Sequence, residues 1–183
     1  MKRYTWFLVI AAILVGGVLV YNIHKTNKTT SSSSTANTSS NGLVAVGSTA
    51  PLFNVPTISG QQFSLAAYKG KTVVMFGMFG SCSECIPEGQ ALDQIQKNNG
   101  ATVAVIGLDV LNGEPASELE AYEQEAGIAI PLALYDQDVI NSYKLTQPEI
   151  TYIINKEGKV AYASPSFVGE ANLQQQVTKA TND

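Results

Sequence analysis

Residues 72–85 have the sequence TVVMFGMFGSCSEC. Its first part, Thr72 to Phe79, is a continuous apolar run, which is typical of a strand buried on both faces of a sheet. Two cysteines, Cys82 and Cys85, follow that strand with two residues between them. A loop this short cannot staple distant parts of a fold, so the pair indicates redox chemistry or metal binding.

The helix predicted after the cysteines extends to about Lys97 and ends at Asn98-Asn99-Gly100, since such residues tolerate the left-handed conformation that ends helices. Amides and the dipole at a helix N-terminus stabilise negative charge, which predicts that Cys82 is the exposed, attacking thiolate. Cys85, three residues later, would resolve the mixed disulfide. Pro87 cannot donate an amide hydrogen, so the turn that bears Cys85 should open or the helix should restart there.

Two other interpretations of the cysteine pair stay open. A metal site would need further cysteine or histidine ligands, and the globular part of the sequence offers none. A structurally idle pair is the second alternative. We expect no metal and no cofactor, because thiol–disulfide exchange uses only the two sulfurs.

The remaining pattern alternates strands and helices and predicts an α/β fold, one mixed sheet covered by helices. Ser117 with Glu120 three residues on has the capping-box pattern of a helix start. The predicted strands are Phe53 to Pro56 and Gln62 to Ser64, forming a hairpin, then 102–110, 130–135, 150–155 and 160–163. A helical turn is predicted near 65–68, and helices at 117–126, 137–143 and 169–180.

The N-terminal part differs in composition from the rest. Residues 4–23 carry no charge, and twenty helical residues are enough to cross a hydrocarbon core of ~30 Å, so we predict a transmembrane signal-anchor over 1–23. A cleaved signal peptide is the alternative. Residues 24–45 are rich in Ser, Thr and Asn, a composition that predicts a flexible tether. Residues 46–183 are predicted to form the folded domain. The polar tether and short N-terminus favour a single-pass protein of the cell membrane, with the domain on the extracytoplasmic side.

The charge balance excludes one class of partner. Seven lysines and fifteen acidic residues follow residue 30, and the only arginine of the chain is Arg3. Nucleic-acid sites favour arginine because its guanidinium grips phosphate with two hydrogen bonds. We therefore expect no nucleic-acid partner.

Four pieces of the sequence together resemble thioredoxin-like proteins of the TlpA/ResA type, from about Val46 to the C-terminus. They are Val46-Gly-Ser-Thr-Ala-Pro-Leu-Phe53, Phe63-Ser-Leu-Ala-Ala-Tyr-Lys-Gly-Lys71, Cys82-Ser-Glu-Cys85 with Glu88, and Tyr152-Ile-Ile-Asn-Lys-Glu-Gly-Lys159. The resemblance implies a thioredoxin-like fold with an N-terminal hairpin and an extra strand–helix insertion between Cys85 and Pro148. It also implies a tether outside the cytoplasmic membrane, protein dithiol or disulfide substrates, and a possible membrane electron donor.

The sequence departs from that family near the cysteines. Ser81 replaces the tryptophan that usually precedes the first cysteine, and Phe76 replaces the buried acid of thioredoxins. Glu88 matches an acidic residue that lies near the second cysteine in these relatives, which implies a role in tuning a thiol pKa; an ordinary exposed helix glutamate is the alternative. Pro148 is predicted as the cis-proline facing the disulfide, although an ungapped count places Glu149 there.

A second acid, Glu84, lies between the cysteines. Its carboxylate should disfavour a thiolate nearby and so favour a reducing couple.

Two rival functions are alternatives to thiol–disulfide exchange. A peroxiredoxin would need a threonine at position 79 and a nearby arginine, but position 79 is Phe and the domain has no arginine. A non-catalytic accessory or binding module is the other, and the retained cysteine pair argues against it.

Overall fold

The structure, a computed structural model, describes residues 42–183. The predicted signal-anchor over 1–23 and most of the predicted tether lie outside the described residues. Within residues 42–183, no helix is both long enough and apolar enough to cross a bilayer.

Seven strands and four α-helices make up the described part of the chain, in the alternating order that the sequence predicts. The strands are β1 (Asn54–Pro56), β2 (Gln62–Ser64), β3 (Thr72–Met78), β4 (Val103–Asp109), β5 (Leu132–Ala133), β6 (Thr151–Ile154) and β7 (Val160–Ser164). The helices are α1 (Ile86–Asn99), α2 (Ala116–Ala126), α3 (Gln137–Tyr143) and α4 (Glu170–Asn182), and short 3-10 turns cover Leu65–Tyr68 and Ser83–Cys85.

Five strands form one mixed sheet in the order β5-β4-β3-β6-β7, while β1 and β2 form a separate antiparallel hairpin. The central strand β3 runs parallel to β4 and antiparallel to β6, and all of its residues are buried. The apolar run from Thr72 to Phe79 therefore forms the middle of the sheet, and it leads directly into the cysteine motif.

Successive side chains of β3 point to opposite sides of the sheet, which separates the core into two clusters. One cluster, here called the cysteine side, joins Val74, Phe76 and Met78 to Cys82, Cys85 and residues of α1, α2 and α4. The other, here called the hairpin side, joins Val73 and Met75 to the β1–β2 hairpin and to α3. Leu173, Val177 and Ala180 of α4 are buried as their helical spacing predicts.

Three details differ from the sequence prediction. Strand β5 is only two residues long, because Pro131 has no amide hydrogen and only Leu132 and Ala133 pair with β4. The capping-box prediction for α2 is wrong: the helix begins at Ala116 after an extended Pro115, with no side-chain cap. Leu43, placed in the tether by the prediction, is buried in the hairpin side.

Candidate active site around the Cys82–Cys85 disulfide

The cysteine motif bridges the end of β3 and the start of α1. Cys82 directly precedes the 3-10 turn Ser83–Cys85, and the α-helix then begins at Ile86 with Pro87 in its first turn. The missing amide hydrogen of Pro87 explains why the turn and the helix are separate segments. The prediction that the helix restarts at this proline is confirmed, and Cys82 lies just before the turn rather than within the α-helix.

Cys82 and Cys85 are joined in a disulfide, with Cα atoms 5.3 Å apart. Both residues are buried: Cys82 is 2% exposed and Cys85 is 0% exposed. The expected exposure of the leading cysteine is therefore not seen in this oxidised form. The half-buried side chains of Phe79, Ile86 and Phe167 pack against the cluster that contains both cysteines. Cys85 is enclosed as well, and the order in which the two thiols react stays a prediction.

Glu88, three residues after Cys85, is buried on the cysteine side with 1% of its surface exposed. One carboxylate oxygen, Oε1, accepts a hydrogen bond from Thr151 Oγ1, and the other, Oε2, has no hydrogen-bond partner. Burial raises the pKa of Glu88 to about 7, and the negative charge of Glu149 adds to that rise. The alternative of an ordinary exposed helix glutamate is therefore wrong.

Glu84, between the two cysteines, lies at the surface. Its Oε2 accepts a hydrogen bond from the neighbouring Ser83 hydroxyl at 3.2 Å. The structure thus brings the two predicted acids to different environments: Glu88 is enclosed in the core, whereas Glu84 is solvated.

Pro148 is half-buried in the loop that leads into β6, and the expected cis bond is absent, since every peptide bond in residues 42–183 is trans. Glu149 takes a left-handed conformation with φ of 63°, and its amide donates to the Gly77 carbonyl at 2.8 Å. The Gly77 amide in turn donates to the Ile150 carbonyl at 2.9 Å. The reversal at Glu149 ties this loop to the end of β3 without a cis-proline.

Sequence reasoning missed three residues near the motif. Tyr122 of α2 donates its hydroxyl hydrogen to the Cys85 carbonyl at 2.9 Å. Glu114 accepts a hydrogen bond from the Gly80 amide at 2.7 Å. Asp109, at the end of β4, is fully buried with Oδ2 unpartnered, and burial raises its pKa to about 6. Only Asp109 carried a signal in the sequence, as an acid closing a buried strand.

The arrangement can perform two-electron thiol chemistry with the protein's own atoms. Within residues 42–183, no group of three or more His, Cys, Asp or Glu side chains is placed to hold a metal ion. A CxxC disulfide between the central strand of a mixed sheet and the following helix, with a buried carboxyl group on that helix, defines a site of the thioredoxin-fold thiol–disulfide oxidoreductase class.

Comparison with known proteins agrees with that class. Residues 46–163 match the AhpC/TSA family, and the chain belongs to this family. It is 31% identical over 121 residues to the thiol-disulfide oxidoreductase ResA of Geobacillus kaustophilus, across 64% of this chain and 67% of that protein. It is 25% identical over 115 residues to the thioredoxin-like protein YneN of Bacillus subtilis, across 62% of this chain and 68% of that protein.

Among solved structures, the chain resembles a thioredoxin-family thiol:disulfide interchange protein from Chlorobium tepidum. The TM-score is 0.65 with 22% sequence identity, and the comparison covers 73% of this chain and 96% of that chain. This likeness supports the fold alone. Together with the family match and the ResA relative, it confirms the predicted thioredoxin-like fold and the resemblance to the TlpA/ResA type.

Proposed function

We propose that the protein reduces or exchanges disulfides of other polypeptides outside the cytoplasm, with Cys82 as the attacking thiol and Cys85 as the resolving thiol. The observation that carries this proposal is the Cys82–Cys85 disulfide itself, enclosed beside a buried carboxyl group. Cys82 precedes the 3-10 turn, whereas Cys85 ends that turn and continues into the helix, and we therefore assign the first attack to Cys82.

The proposed reaction has two steps. The Cys82 thiolate of the reduced protein attacks one sulfur of the partner disulfide, forming a mixed disulfide and releasing the first partner thiolate. The Cys85 thiolate then attacks Cys82 Sγ, which re-forms the Cys82–Cys85 bond and releases the second partner thiolate. Two electrons pass from protein to partner, and the two protons of the protein dithiol end on the partner thiols.

Glu88 is the residue we assign to proton transfer at Cys85. Its raised pKa of about 7 lets it exchange a proton near neutral pH, and its burial keeps solvent from competing for that proton. We assign Glu84 to the redox poise: its carboxylate, between the two cysteines in sequence, disfavours a thiolate and thereby favours a reducing couple. Pro148 remains a candidate for facing the partner.

An insulin-reduction assay tests the activity. The dithiothreitol-reduced chain should accelerate insulin disulfide reduction, and Cys82→Ser should abolish the acceleration while leaving the thermal unfolding midpoint of the reduced chain little changed. Equal rates for wild type and Cys82→Ser would instead favour the accessory-module alternative. We do not propose peroxide reduction, because position 79 is Phe and no arginine follows Arg3.

We also propose that residues 4–23 anchor the protein in the cell membrane with the domain outside, where a membrane electron donor would re-reduce the cysteine pair. The charge-free length of that segment supports the anchor. Protease added to intact cells, with the cell wall removed, should digest the domain. Digestion only after lysis would contradict the orientation.

A further inference from the structure

Helix α2 reaches the cysteine motif through one buried side chain. Tyr122 is 1% exposed, and its hydroxyl donates to the Cys85 carbonyl at 2.9 Å from a position 37 residues away in the chain. Burial and the charge of Glu88 both raise the pKa of Tyr122 above its usual range. The hydroxyl therefore keeps its hydrogen at neutral pH and acts as a donor.

The close approach of Tyr122 depends on a glycine in α1. A Cβ atom at Gly89 would lie 2.5 Å from Tyr122 Oη, closer than side-chain atoms approach each other. Any other residue at position 89 would displace the ring and with it the hydrogen bond to Cys85. The sequence therefore leaves a space in the first turns of α1 that the tyrosine hydroxyl fills.

The same segment contacts the chain on the other side of the motif. Glu114, just before α2, accepts the Gly80 amide hydrogen, and a Cβ at Gly80 would lie 2.6 Å from Glu118 Cβ. The α2 segment therefore contacts the motif at two points: at Gly80, two residues before Cys82, and at Cys85. This second contact holds α2 in the register that aims Tyr122 at the Cys85 carbonyl.

Cys85 lies at the junction between two helical segments, and the Tyr122 hydrogen bond is made there. Cys85 ends the 3-10 turn, the Ile86 amide donates to the Ser83 carbonyl across the junction, and Pro87 has no amide hydrogen to add a second bond back to the turn. Tyr122 supplies a bond to this junction from outside the helix.

We propose that Tyr122 is a positioning residue for the resolving step, holding the Cys85 backbone so that its sulfur stays in line with Cys82 Sγ when the mixed disulfide forms. The proposal rests on the proposed function, because a resolving step exists only if the pair exchanges disulfides. The first attack involves Cys82 alone, so its rate should not depend on Tyr122. A tyrosine that serves only stability would affect both steps or neither.

The test compares Tyr122→Phe with a matched control, Tyr143→Phe. Tyr143 is equally buried on the hairpin side, where its hydroxyl donates to the Pro51 carbonyl at 2.6 Å. Each variant keeps the aromatic ring and loses one hydrogen bond from its hydroxyl to a backbone carbonyl. The full reduced chain, in detergent, is mixed with a fluorescent peptide disulfide as the probe. Acid quenching then gives the rate at which the mixed disulfide forms and the rate at which it decays.

We expect Tyr122→Phe to form the mixed disulfide at the wild-type rate and to resolve it about three- to tenfold more slowly, the effect of losing one positioning hydrogen bond. Tyr143→Phe should leave both rates unchanged. Wild-type resolution in Tyr122→Phe, or equal slowing of both steps, would overturn the proposal. A wild-type chain that forms no adduct with the peptide would instead refute the proposed function.

Discussion

The two sides of the central sheet bury polar groups in different ways. On the hairpin side, the hydroxyls of Tyr143 and Tyr152 donate to the carbonyls of Pro51 and Tyr143, each at 2.6 Å. On the cysteine side, Glu88 is enclosed with one carboxylate oxygen unpartnered. Asp109 lies on the same face of β4 as Val103 and Val105, because alternate residues of a strand point to the same side. It is also buried with one carboxylate oxygen unpartnered.

An unpartnered buried carboxyl group costs stability and is usually avoided in a core. Such groups are concentrated where a protein needs a shifted pKa for chemistry. The contrast indicates that the hairpin side serves as scaffold, whereas the cysteine side gives up stability to keep titratable groups enclosed on the same side of the sheet as the disulfide. Changes on the two sides should therefore separate stability from redox behaviour.

The largest expected effect is a loss of stability on the hairpin side. Phe63 is 2% exposed and its ring stacks against Tyr68 at 4.5 Å between centroids. Phe63→Ala should lower the free energy of unfolding by about 3–5 kcal/mol, measured by urea denaturation. The reduction potential of the folded variant should match wild type. A shifted potential would show that the two sides are coupled.

A smaller effect, with a distinct pH dependence, is expected at Glu88. Its pKa is raised from 4.5 to about 7 in the folded chain, so the folded state binds this proton more tightly than the unfolded state. The stability that this proton provides is fully present below about pH 4.5 and is lost as the pH rises through about 7. Glu88→Gln removes that dependence.

Urea denaturation of wild type and Glu88→Gln between pH 4 and pH 8 measures this effect. The difference between the two should shift in favour of the variant by on the order of 2 kcal/mol across that range. Only the change with pH is diagnostic, because the glutamine amide adds a constant term of its own. A difference that stays constant from pH 4 to pH 8 would mean that Glu88 titrates normally.

The smallest effect is expected at Glu84. Glu84→Gln removes an exposed charge beside the cysteines, which should lower the Cys82 pKa and move the couple toward more oxidising potentials. Since the carboxylate is solvated, the shift in the Cys82 pKa should be small and should fade at about 1 M salt, where screening is strong. The ultraviolet absorbance of the thiolate as a function of pH checks this shift, and an unchanged titration would contradict the role of Glu84 in redox poise.

Much of the fold follows from local patterns in the sequence. A strand buried on both faces is apolar at every position, and β3 shows this pattern. A helix buried on one face is apolar every three to four residues, and Leu173, Val177 and Ala180 of α4 show that spacing. The capping pattern at Ser117 failed because the helix already begins at Ala116, directly after the extended Pro115. Local signals therefore locate the elements better than they locate their ends.

The site was less predictable, since its contacts join distant parts of the chain. Cys82, Cys85 and Glu88 follow from motif and resemblance, but the burial of Glu88 depends on Thr151 and on packing across the sheet. Tyr122 reaches Cys85 across 37 residues, and no local pattern marks a tyrosine for such a contact. The left-handed Glu149 could not be foreseen either, because that conformation is rare for residues other than glycine.

The most direct test of the assigned roles is the capture of mixed disulfides by single-cysteine variants. Cys85→Ser removes the resolving thiol, so partner polypeptides should accumulate on Cys82 and be released by dithiothreitol. Cys82→Ser should capture almost nothing, because Cys85 is fully enclosed. Non-reducing gels of the two variants, made from equal amounts of protein, give the comparison. Strong adducts with Cys85→Ser and almost none with Cys82→Ser are the predicted result, and equal adducts from both variants would contradict it.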